Sequence, residues 1–209
     1  MSVGRIIRGP DCVAEGTKWL VARDAGMARA FAAVEDVPLR LRPDGFAQLL
    51  SAIVSQQVSV ASANAIWGRT QVAGLTTEAA VIAAGPEGLR DVGFSRPKQR
   101  YALALAEAGI DYAALKQAPT EEVMASLVAV PGIGQWTAEI YAMFSLGRAD
   151  VFAPGDLALQ EAARVLYELE ERPKERAFRE MAERWSPWRS VAARLLWAYY
   201  RVEKNREGI

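Results

Sequence analysis

Residues 120–147 read TEEVMASLVAVPGIGQWTAEIYAMFSLG. The pattern is helix, four-residue turn, helix. Thr120 can cap the first helix, and Glu121 and Glu122 suit the positive end of its dipole. Pro131 and Gly132 end it. Gln135 to Ser145 forms the second helix. In the turn, Gly132 and Gly134 flank Ile133, which can plug the gap between the helices. Glycine there permits a positive φ and a close approach to the backbone. The second helix starts at once, so its first N–H groups offer an anion site that suits phosphate. An αα-hairpin without any ligand fits the same letters.

Outward from this hairpin the periodicity stays helical. Phe46, Leu49, Leu50, Ile53 and Val54 recur on one face, behind the start signal Pro43-Asp44-Gly45. Residues 95–110 continue the pattern, with Gly109 as the stop. Gly155-Asp156 precedes a helix expected to run to Glu171. Ser186-Pro187 reads as a cap followed by proline at the first helical position, and the helix after it carries Trp188, Val191, Ala192, Leu195 and Tyr199 on one face. VPLRLR (37–42) alternates like a strand, but it is short and alone. The expectation is an all-α chain of about nine to eleven helices. Breaks near 43–45 and 147–155 divide it into residues 1–42, a central helical domain at 43–150, and residues 151–209. The two outer segments would form one terminal lobe.

Composition narrows the chemistry. The chain has 209 residues, no histidine and a single cysteine, Cys12. Ser-His and Cys-His catalysis, most zinc sites and iron–sulfur clusters are thereby excluded. Acid–base work falls to Asp, Glu, Lys or Tyr. The 25 basic and 25 acidic residues cancel, so a nucleic-acid surface would have to come from charge placement. No apolar run reaches the ~20 residues that span a bilayer, and the N-terminal stretch lacks the apolar core of a signal peptide. The expected location is the cytoplasm, with the bacterial nucleoid.

VPGIGQWTAEIYAMFSLGRADVFAPGDLALQ (130–160) resembles the hairpin, Gly-Pro-rich loop and catalytic aspartate of the helix–hairpin–helix DNA glycosylase superfamily. FAQLLSAIVSQQVSVASANAIWGR (46–69) and RWSPWRSVAARLLW (184–197) resemble its 3-methyladenine DNA glycosylase II branch. With VGFSRPKQRYALALA (92–106) between them, the similarity runs from about residue 40 to 198. It implies a two-lobed fold with an active-site cleft between the lobes. The extra N-terminal β-sheet domain of larger branch members has no counterpart in these letters.

The resemblance assigns roles by position. Asp156 becomes the catalytic carboxylate. Spacing alone favours a plain N-cap there, and both roles can coexist, because the helix dipole favours the anion. Gly132, Ile133, Gly134 and Thr137 would hold a DNA phosphate, with a monovalent cation on the carbonyls of Val130 and Gly132. Trp136 and Trp188 would wall the base pocket, with Tyr141 beside them. For each tryptophan the alternative is packing: over the hairpin for Trp136, in the core for Trp188. Ile140 stands where the branch often has a pocket tyrosine. In the polar break Ser55-Gln56-Gln57, Gln57 would be the wedge that fills the gap left by a flipped base, with Gln56 next to it; a bare exposed turn is the alternative. Arg96, Lys98 and Arg100 form a basic cluster that touches phosphates or simply faces solvent.

The implied activity is a monofunctional DNA glycosylase for alkylated, 3-methyladenine-type purines, working as a monomer on damaged double-stranded DNA without a cofactor. Bifunctional members attack the sugar with a lysine in the second hairpin helix; here that position is Trp136. Two rivals are a uracil or mismatch glycosylase on the same fold, and a non-catalytic helix–hairpin–helix DNA-binding protein.

Overall fold

The computed structural model describes residues 3–206. Among them are twelve α-helices and one 3-10 turn. No strand forms among the described residues: residues 37–42 run as irregular chain, and the one isolated bridge joins Ile6 and Arg148. The helix count exceeds the expected range because the structure contains short helices such as α7 that carry too few residues to show a period. The chain divides into two compact units. One runs from Arg42 to Tyr141. The other joins the chain before Arg42 to the chain from Ala142 onward. The second division thus falls inside a helix, ahead of the break near 150.

The first unit contains α3 (Phe46–Ser55), α4 (Val60–Val72), α5 (Glu78–Asp91), α6 (Arg96–Glu107), α7 (Tyr112–Gln117), α8 (Thr120–Val128) and the start of α9 (Gln135–Phe144). All five periodic residues of α3 are buried. Each such side chain contributes about 2 kcal/mol by leaving water. α3 begins at Gly45 without a side-chain cap; instead Gly45 N–H donates to Tyr141 Oη at 2.8 Å, and Asp44 pairs with Lys116. Lys98 is a correction to the expected basic cluster. It is buried, and its Nζ donates to Val54 O at 2.6 Å, a cation at the negative end of α3. Burial also pulls its pKa down. Arg96 and Arg100 remain exposed. Thr120 is another correction: it is the first residue of α8, whose N-cap is Pro119, and caps nothing with its side chain.

The second unit contains α1 (Pro10–Val21), α2 (Ala25–Ala33), α10 (Leu157–Leu166), α11 (Glu175–Ala182), the 3-10 turn Glu183–Trp185 and α12 (Arg189–Arg206). α12 packs against α1, α2 and α10. It starts at Arg189, two residues later than a Ser186 cap with Pro187 at the first helical position promised. Ser186 Oγ donates to Asp150 Oδ2 at 2.8 Å instead of capping, and the Trp188 carbonyl accepts the first helical bonds from Val191 and Ala192. α10 stops at Leu166, short of Glu171. Arg29 Nη2 donates to Leu166 O at 2.7 Å, and Leu169 N–H closes back on Arg164 O. These bonds occupy the last carbonyls and terminate the helix.

Candidate functional site

The hairpin occupies Ala129–Gly134, between α8 and α9. Ile133 is buried, as a plug should be, and its N–H donates to Val130 O. The two glycines differ. Gly132 has φ +91°, and a Cβ there would sit 2.4 Å from the Tyr101 ring. The fold itself requires glycine at this position. Gly134 has no such φ, and a Cβ there would meet nothing within 4 Å. It is exposed, and its carbonyl accepts the first bond of α9 from Ala138 N–H at 3.1 Å. Its lack of a side chain leaves the backbone open to an approaching group, next to the first-turn N–H groups of α9.

A groove of about 620 Å³ lies against this hairpin, lined by Gln56, Gln57, Lys98, Tyr101 and the hairpin residues. It gathers three segments that the sequence leaves far apart: the α3–α4 turn, the start of α6 and the turn at 129–134. The two glutamines separate here. Gln56 Nε2 donates to Gly132 O at 2.9 Å, tying the α3–α4 turn to the hairpin. Gln57 is exposed and sits in the left-handed region at φ +56°. That conformation is uncommon for a residue with a side chain and concentrates at functional turns. Val58 and Val60, just beyond, are also exposed.

The carbonyls of Val130 and Gly132 each already accept a hydrogen bond, from Ile133 N–H and from Gln56 Nε2. Each carbonyl keeps a second lone pair beside the one it has spent.

The aromatic assignments resolve unevenly. Trp136 is 46% exposed, so it does not pack into the core over the hairpin. Trp188 does the opposite. It is 2% exposed, a Cβ on Gly16 of α1 would overlap its ring, and the Arg5 guanidinium lies 4.7 Å from its centre. Trp188 packs against α1, the packing alternative that its sequence position allowed. Tyr141 is also buried, with its hydroxyl committed to Gly45 N–H. Burial pushes that phenol up to about 12, the Gly45 N–H partly opposing and the Asp44 carboxylate adding to the rise. Ile140 is half-buried, and Thr137 is buried.

Asp156 lies in the second unit as the N-cap of α10. Its Oδ1 accepts from Ala158 N–H and Leu159 N–H, both at 3.0 Å, so the capping reading holds. A third donor comes from elsewhere: Trp197 Nε1 on α12, at 3.1 Å. The loop ahead of the aspartate is pinned as well. Asp156 N–H donates to Ala153 O, Gln160 Nε2 donates to Pro154 O at 2.8 Å, and Arg189 grips Asp150 at 2.7 Å. The carboxylate is half-buried between exposed Gly155 and Leu157, the latter 64% exposed. An anion held by a helix start yet open to its surroundings can meet positive charge on a bound partner. The sequence reading missed Trp197. Nothing in its spacing distinguishes it from the other apolar positions of α12.

A hairpin of this kind defines the helix–hairpin–helix class, and comparison with known proteins gives the family. The model described as "HhH-GPD superfamily base excision DNA repair protein" matches residues 50–187. The chain belongs to this superfamily. A Bacillus subtilis protein carrying a DNA-3-methyladenine glycosylase name is 32% identical over 115 residues, which is 53% of this chain and 40% of that protein. The chain thus spans less than half of that relative. The crystal structure of a Bacillus halodurans DNA-3-methyladenine glycosidase superposes with a TM-score of 0.79 at 34% identity, over 92% of this chain and 90% of that one. A Schizosaccharomyces pombe 3-methyladenine DNA glycosylase in complex with abasic DNA superposes with a TM-score of 0.75 at 28% identity, over 88% and 95%.

Proposed function

We propose that this protein is a monofunctional DNA glycosylase that removes alkylated, 3-methyladenine-type bases by hydrolysing the N-glycosidic bond. The observation that carries the proposal is Asp156: a carboxylate fixed by three donors at the start of α10, inside the segment that matches the base-excision family. Breaking the N-glycosidic bond develops positive charge on the deoxyribose. A preorganised carboxylate stabilises that charge and orients or deprotonates the attacking water. A cationic alkylated purine is already a good leaving group, so the absence of histidine is no obstacle.

The DNA-facing surface follows from the hairpin and its groove. The open backbone at Gly134 and the start of α9 would hold a phosphate, which orients the protein without reading sequence. Gln57, exposed at the left-handed turn, would occupy the space vacated by a flipped base. Trp136, the exposed aromatic of α9, offers a face on which an electron-poor base stacks. The lysine that would attack the sugar in a bifunctional enzyme is absent from α9, whose sequence is QWTAEIYAMF. The product is therefore an intact strand with an abasic site. No helix among the described residues is long and apolar enough to cross a membrane. The working form is a monomer on damaged duplex DNA, acting in the cytoplasm and nucleoid.

Base release from duplex oligonucleotides carrying 3-methyladenine-type, uracil or mismatched bases tests this reading. Release of the alkylated base alone is expected, with no strand cut and no Schiff base trapped by borohydride. Asp156→Asn should lower excision about a hundredfold or more while DNA binding persists. Excision of uracil or mismatched bases in place of alkylated ones would select the sister activity. Binding without any excision would leave only a DNA-binding module.

A further inference from the structure

Three donors converge on Asp156 Oδ1, and they come from two directions. The amides of Ala158 and Leu159 belong to the helix that Asp156 caps. The indole of Trp197 belongs to α12. A cap alone ties the carboxylate to its own helix. A donor from a second helix ties the same oxygen to α12 as well, so rotation about Cβ–Cγ must break bonds to both helices.

The indole is itself held from behind. Its ring lies 5.7 Å from that of Phe144, and the Arg194 guanidinium lies 4.6 Å from the Phe144 ring centre. Arg194 is fully buried. Its Nε donates to Leu39 O at 3.0 Å, Nη1 to Ser190 O at 2.8 Å and Nη2 to Met143 O at 3.1 Å. Burial pushes this guanidinium down to about 10, with Arg40 adding to the shift, and it stays cationic at neutral pH. A buried cation bound to three carbonyls is a stiff support. Behind Asp156 there is thus a continuous stack of Trp197, Phe144 and Arg194.

We infer that Trp197 is a positioning residue for the reaction: its indole N–H orients the Asp156 carboxylate, and the Phe144–Arg194 stack holds the indole in register. This rests on Asp156 being the reactive carboxylate. The N–H, not the aromatic surface, is the operative feature.

Trp197→Phe keeps an aromatic ring and deletes the donor. Single-turnover excision of an alkylated base should fall about tenfold, the loss expected for one hydrogen bond to a charged group, while the DNA dissociation constant stays within about twofold. Trp197→His, which restores a ring N–H, should recover part of the rate. Wild-type excision in Trp197→Phe would overturn the inference. So would a parallel loss of DNA affinity and rate, or a histidine variant no better than phenylalanine. A readout independent of activity covers the case in which Trp197→Phe is too unstable. In the otherwise wild-type protein, the Trp197 indole N–H should be protected from solvent exchange, and Asp156→Ala should remove that protection and move its NMR resonance. An unmoved resonance would overturn the inference. If the wild-type protein releases no base from any lesion, the proposed activity fails, and the resonance still decides whether the indole holds the carboxylate.

Discussion

Asp24 and Asp156 are built from the same parts. Each caps a helix, α2 or α10, and each accepts a hydrogen bond from a tryptophan indole. Their surroundings differ. Asp24 takes Trp185 Nε1 on Oδ2 at 2.9 Å, and Tyr167 Oη and Met27 N–H on Oδ1 at 2.9 and 3.0 Å. Trp185 is fully buried and lies among Phe152, Phe178 and Tyr167. Asp24 is a knot joining α2, the end of α10 and the 3-10 turn. Burial works against its charge, yet the bonds from Trp185, Met27, Tyr167 and Gly26 together hold its carboxyl below the ordinary 3.8. Both aspartates are half-buried and flanked by exposed residues, but around Asp156 the tryptophan is only half-buried. The same local motif is a structural rivet where its indole is fully buried and a candidate reactive site where its indole is only half-buried.

Alanine at each aspartate gives the sharpest separation. Asp156→Ala should reduce base excision by about a hundredfold or more, with a stability loss of only about 1 kcal/mol from the missing cap. Asp24→Ala should do the reverse. It strands the buried Trp185 donor and the half-buried Tyr167 donor, a loss of about 3 kcal/mol in denaturant unfolding, and the protein that remains folded should excise normally. If Asp24→Ala lost excision as severely as Asp156→Ala, the contrast would collapse.

The hairpin glycines make a second pair with a smaller expected effect. Gly132→Ala forces a strained φ and a clash with Tyr101, and should cost about 2 kcal/mol of stability. Gly134→Ala meets open space and should change stability by less than about 0.5 kcal/mol, while weakening DNA affinity. Thermal melts and a salt titration of binding would show both. Equal melting losses at the two glycines would place Gly134 in the fold rather than at a ligand.

Acid unfolding is the subtlest probe. Asp24 has a folded-state pKa below its unfolded one. Its contribution is complete above the unfolded value and is lost as pH falls below about 3.8, through the folded value. Asp24→Asn should flatten the stability curve in that acid window. An unchanged slope would mean the charge is not what the knot stabilises.

These residues also show how far the letters could be read. The α3 face, the α8–α9 hairpin and the capping role of Asp156 were legible, because each depends on neighbours within a few positions. Lys98 was not. It reads as part of a basic cluster, and only the packing of α6 against α3 turns it into a buried partner for Val54 O. Trp188 looks the better of the two pocket tryptophans in the sequence, yet the close approach at Gly16 buries it while Trp136 stays exposed. Gln56 and Gln57 are identical letters, yet one is spent on Gly132 O and the other is exposed.

The sequence by itself determined the helical class, the hairpin, the family resemblance and the aspartate at a helix start, since periodicity and capping are local physics. Only the tertiary structure decided which glycine the fold requires, which tryptophan is core and which indole reaches Asp156. Those answers depend on segments tens to more than a hundred residues apart being brought within hydrogen-bond or van der Waals distance, and no local pattern encodes that distance.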